Sequence, residues 1–175
     1  MTKPDTPSKK IKSFSLLKNI ALFLIIFTAI LAWKQRNMAT GEAPSFQTTS
    51  INGEPVSLSS YRGKPLMLHF WASWCPICKF EEGSVSDLNN DKDLPLLTVA
   101  FQSGNPTDVK QFMLQQSIET WPVIVDQEGI LAKQYGVNGV PATFFIDSSG
   151  KIRFKTMGLT SKWGMKIRLW LTSHL

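Results

Sequence analysis

Two cysteines and two histidines are all that the 175 residues hold. Cys75 and Cys78 stand three positions apart, so no further cysteine exists to staple the fold with a disulfide framework. A closed zinc site takes about four ligands. His69 and His174 would have to complete it, and His174 sits next to the C-terminus. Haem attachment through C-x-x-C asks for histidine after the second cysteine, where this chain has Lys79. Acid is scarce at the front. Residues 1–40 hold seven basic residues (Lys3, Lys9, Lys10, Lys12, Lys18, Lys34, Arg36) against Asp5, and the remaining 12 basic and 12 acidic residues cancel. The net charge of +6 therefore belongs to a leading segment and gives no reason to expect a nucleic-acid partner.

What the front does have is an apolar run. IALFLIIFTAILAW, residues 20–33, carries no charge, and starting at Leu16 lengthens the run to 18 residues with Lys18 and Asn19 inside. A spanning helix takes about 20 mostly apolar residues, with about 17 as the minimum. Lys18 can snorkel to the headgroups and Trp33 suits the far interface. Five lysines precede the run, which orients the N-terminus to the cytoplasm. A cleaved signal peptide is the rival reading, but the exit (AWKQRNM) lacks a small-x-small cleavage site. The expected organisation is a basic cytoplasmic tail over 1–15, disordered through residue 13, then an uncleaved transmembrane signal-anchor over 16–33. A tether over 34–43 and one exported domain over 44–175 follow, with the domain in the periplasm or outside.

Within the domain, 46–49 and 51–56 read as a hairpin turning at Asn52-Gly53. Residues 57–63 read as a helical turn ending in glycine. A strand is expected over 65–71 and a helix from Pro76 to about Leu88. The continuous apolar run 94–101 suits a strand buried on both faces. Asn105-Pro106 followed by Asp108 starts a helix to about Gln116. A strand over 122–126, a helix over 130–135, strands over 140–147 and 151–157 and an amphipathic helix over 161–172 complete the chain. Strands alternating with helices, closed by a hairpin, predict an α/β fold with a mixed central sheet flanked by helices.

The chemistry gathers in FWASWCPICK, residues 70–79. Cys75 falls where the strand gives way to the helix, so free N–H groups and the helix dipole favour a thiolate there. Pro76 suits the first helical position, which needs no N–H. Cys78, one turn on, is within disulfide reach. The layout is that of a dithiol/disulfide switch, with Cys75 attacking and Cys78 resolving. A purely structural disulfide across so short a loop would add little chain-entropy stabilisation. A Cu(I) module could use the same thiolates, though no Met-rich or His-rich ligand set accompanies them.

WCPIC together with Val140-Pro141, 65 residues after Cys75, and the strand–turn–strand–helix ending resembles the thioredoxin superfamily. The leading hairpin, the extra helix–strand over 105–126 and the apolar front segment narrow the resemblance. They point to membrane-tethered thiol:disulfide oxidoreductases of the TlpA/ResA/DsbE group, with CPICKFEEGS closest to the suppressor-of-copper-sensitivity D type. The resemblance implies a thioredoxin fold with an N-terminal hairpin and an inserted helix–strand, preceded by one transmembrane helix. It implies protein thiols and disulfides as substrates and no cofactor beyond the Cys75–Cys78 disulfide. A membrane electron donor of the DsbD type or acceptor of the DsbB type would be the redox partner, with reduction for cytochrome c maturation one possible use. A peroxiredoxin-type peroxidase is disfavoured, because Ser73-Trp74 does not supply the Thr/Pro frame of its peroxidatic cysteine.

The resemblance also assigns supporting residues. Val140-Pro141 becomes a cis-proline loop lying against the cysteines; taken alone it would be an ordinary trans proline opening a strand. Thioredoxin keeps a buried acid six residues before its first cysteine, and this chain departs from that pattern with His69. A neutral His69 could take the Cys78 proton, or it could simply be a packed core histidine. Glu81, three after Cys78, matches a glutamate implicated in the ResA group, the alternative being a solvated helix face. Trp74 is expected at the rim of the site. Pro76-Ile77 is expected to tune the potential.

Overall fold

The structure is a computed structural model that describes residues 10–91 and 94–175, apart from the side chains of residues 10–15, 31, 32 and 34. The chain divides into two units, 1–36 and 37–175. The described part of the first holds one helix, α1 (Lys10–Gln35), of 26 residues. It begins inside the stretch expected to be a disordered tail, because residues 8–35 hold neither proline nor glycine to stop a helix. The rest of that expected tail, residues 1–9, lies outside the described residues. The expected anchor includes Leu31 and Ala32, whose side chains also lie outside them. Among the described residues no helix is long and apolar enough to cross a membrane.

The second unit opens with β1 (Gly41–Glu42) and the hairpin β2 (Gln47–Thr49) and β3 (Pro55–Ser57), then a 3₁₀ turn at Leu58–Tyr61. There follow β4 (Leu66–Trp71), α2 (Pro76–Asn89), β5 (Leu96–Phe101), α3 (Pro106–Gln116), β6 (Val123–Asp126), α4 (Ile130–Gln134), β7 (Ala142–Ile146), β8 (Lys151–Met157) and α5 (Lys162–Ser173). Six strands form one mixed sheet in the order β1-β8-β7-β4-β5-β6. The pairs β4–β5 and β5–β6 are parallel, and β4–β7 and β7–β8 antiparallel. The β2–β3 hairpin turns through Asn52-Gly53 as expected, and it docks on the sheet edge by the Ser50–Ile124 bridge.

The expected tether proves to be largely part of the domain. Met38 and Ala43 are buried, and β1 adds an edge strand to β8. Ala39 N–H donates to the Tyr135 carbonyl, and Lys155 Nζ donates to the Met38 carbonyl. Gly136, at φ +64°, lies directly against this segment: a side chain there would run into the Asn37 carbonyl. Residues 37–43 are polar enough to read as a linker (NMATGEA), so only their partners reveal that they are ordered.

The central strand β4 sorts its side chains by alternation. Leu66, Leu68 and Phe70 enter a core with Phe144, Tyr135, Leu131 and Met38. Met67 and Trp71 face the other layer, with Val85 and Leu88 of α2, Val109 and Met113 of α3, and Met165 and Leu169 of α5. His69 shares the alternation of that second layer, the side from which α2 presents both cysteines.

The turn between β7 and β8 hangs on Asp147. Its carboxylate accepts from Ser149 N–H at 2.9 Å, Lys151 N–H at 2.9 Å and Arg153 Nε at 2.6 Å. Burial alone would raise this acid, but these donors hold it at about 2, below its ordinary 3.8. A lowered carboxylate stabilises the fold above its unfolded value, and that contribution is lost as pH falls from about 3.8 through about 2. Asp147→Asn should therefore lower stability at neutral pH by about 2 kcal/mol and flatten the acid limb of a urea-midpoint-versus-pH curve.

Candidate active site

Cys75 is the N-cap of α2, with extended backbone (φ −91°, ψ 106°), and Pro76 takes the first helical turn. Cys78 N–H donates to Cys75 Sγ at 3.1 Å, so one of the helix's orphan donors is spent on the sulfur. The first turn contains no acid to oppose negative charge there. The two cysteines are joined as a disulfide, their Cα atoms 5.4 Å apart. Both are almost fully buried in this state, so exposure does not set them apart. Position does. Cys75 Sγ lies 3.6 Å from the carbonyl oxygen of Val140, and Val140-Pro141 is a cis peptide. Cys78 sits one turn further in and packs with the layer beneath α2.

Trp74 forms the rim, 57% exposed, and is fixed by its Nε1 donating to the Gln102 carbonyl at 3.0 Å and by an edge contact with Phe101. Ser73 N–H is held by Ser103 Oγ at 3.0 Å, which ties the loop before Cys75 to the end of β5. Trp121 is buried, donates from Nε1 to Ser86 Oγ and meets Trp71 edge-on.

On the α2 side of the sheet are two buried titratable groups. Glu81 shares the helix face of Cys78 and is 1% exposed, so the solvated alternative falls away. One carboxyl oxygen accepts from Thr160 N–H, and the other has no partner among the described residues. Burial pushes its pKa up from 4.5 to about 7, only partly offset by the Thr160 bond. His69 is also 1% exposed, with Nδ1 2.9 Å from Thr143 Oγ1. Burial lowers it from 6.5 to about 4, which leaves it neutral at neutral pH. The same burial makes it a weak base. Thr143, Thr160, Gln102 and Ser103 were not singled out in the sequence. They stand 74, 79, 28 and 30 positions from the residues they serve, and only the folded topology brings them there.

The residues match the AhpC/TSA family over 39–155, two thirds of the chain. The chain belongs to the AhpC/TSA family. It is 33% identical over 158 residues to a thioredoxin-like protein of Haemophilus influenzae, covering 88% of this chain and 93% of that one. It is 31% identical over 160 residues to the thiol-disulfide oxidoreductase ResA of Bacillus cereus, covering 83% of this chain and 92% of that one. A solved thiol:disulfide interchange protein of the thioredoxin family from Chlorobium tepidum superposes with a TM-score of 0.66 at 26% identity, over 77% of this chain and 97% of that one. The fold is the thioredoxin fold, and the enzyme is a thiol–disulfide oxidoreductase of the ResA/DsbE type built on Cys75 and Cys78. Among the described residues, no group of three or more His, Cys, Asp or Glu is placed to hold a metal ion.

Proposed function

We propose that this protein is an extracytoplasmic, membrane-anchored oxidoreductase that exchanges disulfides with extended segments of client proteins. The observation that carries this reading is the Cys75 sulfur at the α2 N-terminus, 3.6 Å from the Val140 carbonyl. A client strand paired with the Val140 backbone brings its own disulfide to Cys75. The Cys75 thiolate attacks one client sulfur, a new S–S bond forms, and the other client sulfur leaves as a thiolate. Cys78 then loses its proton and attacks Cys75 Sγ, which restores the Cys75–Cys78 disulfide and frees the client as a dithiol. The sequence is reversible, and its direction follows the reduction potential. A donor of the DsbD type recharges a reductant, and an acceptor of the DsbB type recharges an oxidant.

Glu81 is the group we assign to the Cys78 proton. It lies on the same helix face as Cys78 and its pKa of about 7 matches working pH, whereas His69 at about 4 holds a proton too weakly. His69 instead braces β4 against Thr143 of β7, the strand that follows Pro141. His69→Leu should leave the resolution rate within about twofold of wild type across pH 6–9 in stopped-flow reduction of a peptide disulfide. A large slowing at neutral pH, rescued by alkali, would return the proton to His69.

The anchor rests on the sequence of residues 16–33 and on the 26-residue helix that contains them. The test is twofold. Redox equilibration of the full chain with glutathione should give a defined two-electron potential, near about −270 mV for a reductant or about −120 mV for an oxidant. Protease added to spheroplasts should remove the domain while residues 1–33 stay protected in the membrane. A chain with no exchangeable couple, or a domain protected from external protease, overturns the corresponding half.

A further inference from the structure

The last helix carries two apolar stripes, and the fold covers one of them. Met165, Leu169 and Thr172 point into the core against α2 and the sheet. On the opposite side, Trp163, Ile167 and Trp170 recur at helical spacing and are 74%, 55% and 60% exposed. The sequence of α5, KWGMKIRLWLTS, contains no acid. Lys162 and Lys166 flank the exposed stripe on one side and Arg168 on the other, and Lys162 also pairs with Asp87 of α2 at 2.6 Å. Surface helices of soluble domains place charge where this one places tryptophan.

We propose that the exposed face of α5 docks on the surface of an anionic phospholipid bilayer. Two tryptophans and an isoleucine between basic flanks are the composition of a helix lying in the headgroup plane. Tryptophan has its apolar ring and its N–H each suited to that interface. A second copy of the chain is a poorer occupant, because a two-fold pairing of this face brings the basic flanks of both helices together, with no acid on α5 to offset them. The proposal rests on the anchored reading. There, Met38, the first buried residue of the domain, follows Trp33 by five positions, a span of at most about 18 Å. A bilayer surface is thus the surface the domain meets continuously. The consequence is positional. Thr160, two residues before α5, donates to Glu81, one turn beyond Cys78, so docking of α5 also ties down the helix that carries the dithiol.

The experiment uses the full chain in nanodiscs of phosphatidylcholine with or without phosphatidylglycerol, loaded at one copy per disc. Hydroxyl-radical labelling reads Trp163 and Trp170. Labelling in phosphatidylglycerol discs should be about threefold lower for the wild type than for Ile167→Asp, with the difference shrinking in neutral lipid and high salt. The reduction potential of the variant should match wild type, showing that the site is intact. Equal labelling of wild type and variant overturns the proposal, as does protection that appears only when several copies share a disc. Carbonate extraction reads the anchor separately. If carbonate strips the chain, the anchored reading fails. The docking face is then tested by co-sedimentation with phosphatidylglycerol vesicles, which the wild type should show and Ile167→Asp should lose; no co-sedimentation overturns it.

Discussion

Cys78→Ala should accumulate mixed disulfides with client proteins, and Cys75→Ala should not. The asymmetry follows from position, since the two sulfurs are equally buried in the disulfide state. Cys75 caps α2, draws an N–H bond from Cys78 and borders Val140, where the proposed client strand would pair. When Cys75 has attacked, only Cys78 is placed to displace the client, because the chain holds no third cysteine. Its loss leaves the intermediate to external thiols, and the lifetime rises from transient to that of an ordinary protein disulfide, minutes to hours. Non-reducing gels of acid-quenched cells expressing each variant make the comparison. Equal trapping by both variants would sink the assignment of roles, and trapping by Cys75→Ala alone would reverse it.

The parts of this architecture visible in the sequence are those with local causes. Asn105-Pro106-x-Asp108 announces a capping box, and α3 spans the residues it predicts. The β2–β3 turn follows from Asn52-Gly53, and α2 begins at Pro76 because proline tolerates the missing N–H there. Period-two alternation in β4 sorts Leu66, Leu68 and Phe70 from Met67 and Trp71, and the two layers form as it requires. Features with distant causes were not visible. Residues 37–43 look like a tether until β8 and Tyr135 are folded beside them. Glu81 reads equally well as a solvated helix residue, since the next residue, Glu82, is a half-buried acid in the same run. The loop carrying Thr160 closes over it, from 79 positions away. The exposed stripe of α5 shows the converse. An amphipathic pattern with apolar residues on both faces reveals that something must cover the helix, but not which face meets the core.

Glu81→Gln should slow resolution of the mixed disulfide by about 10²-fold at pH 7, the usual weight of a positioned general base. Gln keeps the oxygen that accepts from Thr160 N–H, so the helix and loop stay joined while the titrating proton is lost. Wild-type resolution should rise through an inflection near Glu81's pKa of about 7. The variant should lack that inflection and climb steadily towards pH 9 as hydroxide takes over the deprotonation. The first attack, by Cys75, should change far less, which separates proton handling from a general loosening of the site. Stability supplies an independent reading. Burial raises Glu81 above its unfolded value of 4.5, so the folded state holds the proton more tightly than the unfolded chain. Its protonated form therefore favours folding below about 4.5, and this advantage is lost as pH rises through about 7. Glu81→Gln should abolish that decline, so the urea midpoint of the variant gains on wild type between pH 5 and 8. If the wild-type inflection and the decline in stability both survive the substitution, another group titrates there, and the Cys78 proton leaves by a different route.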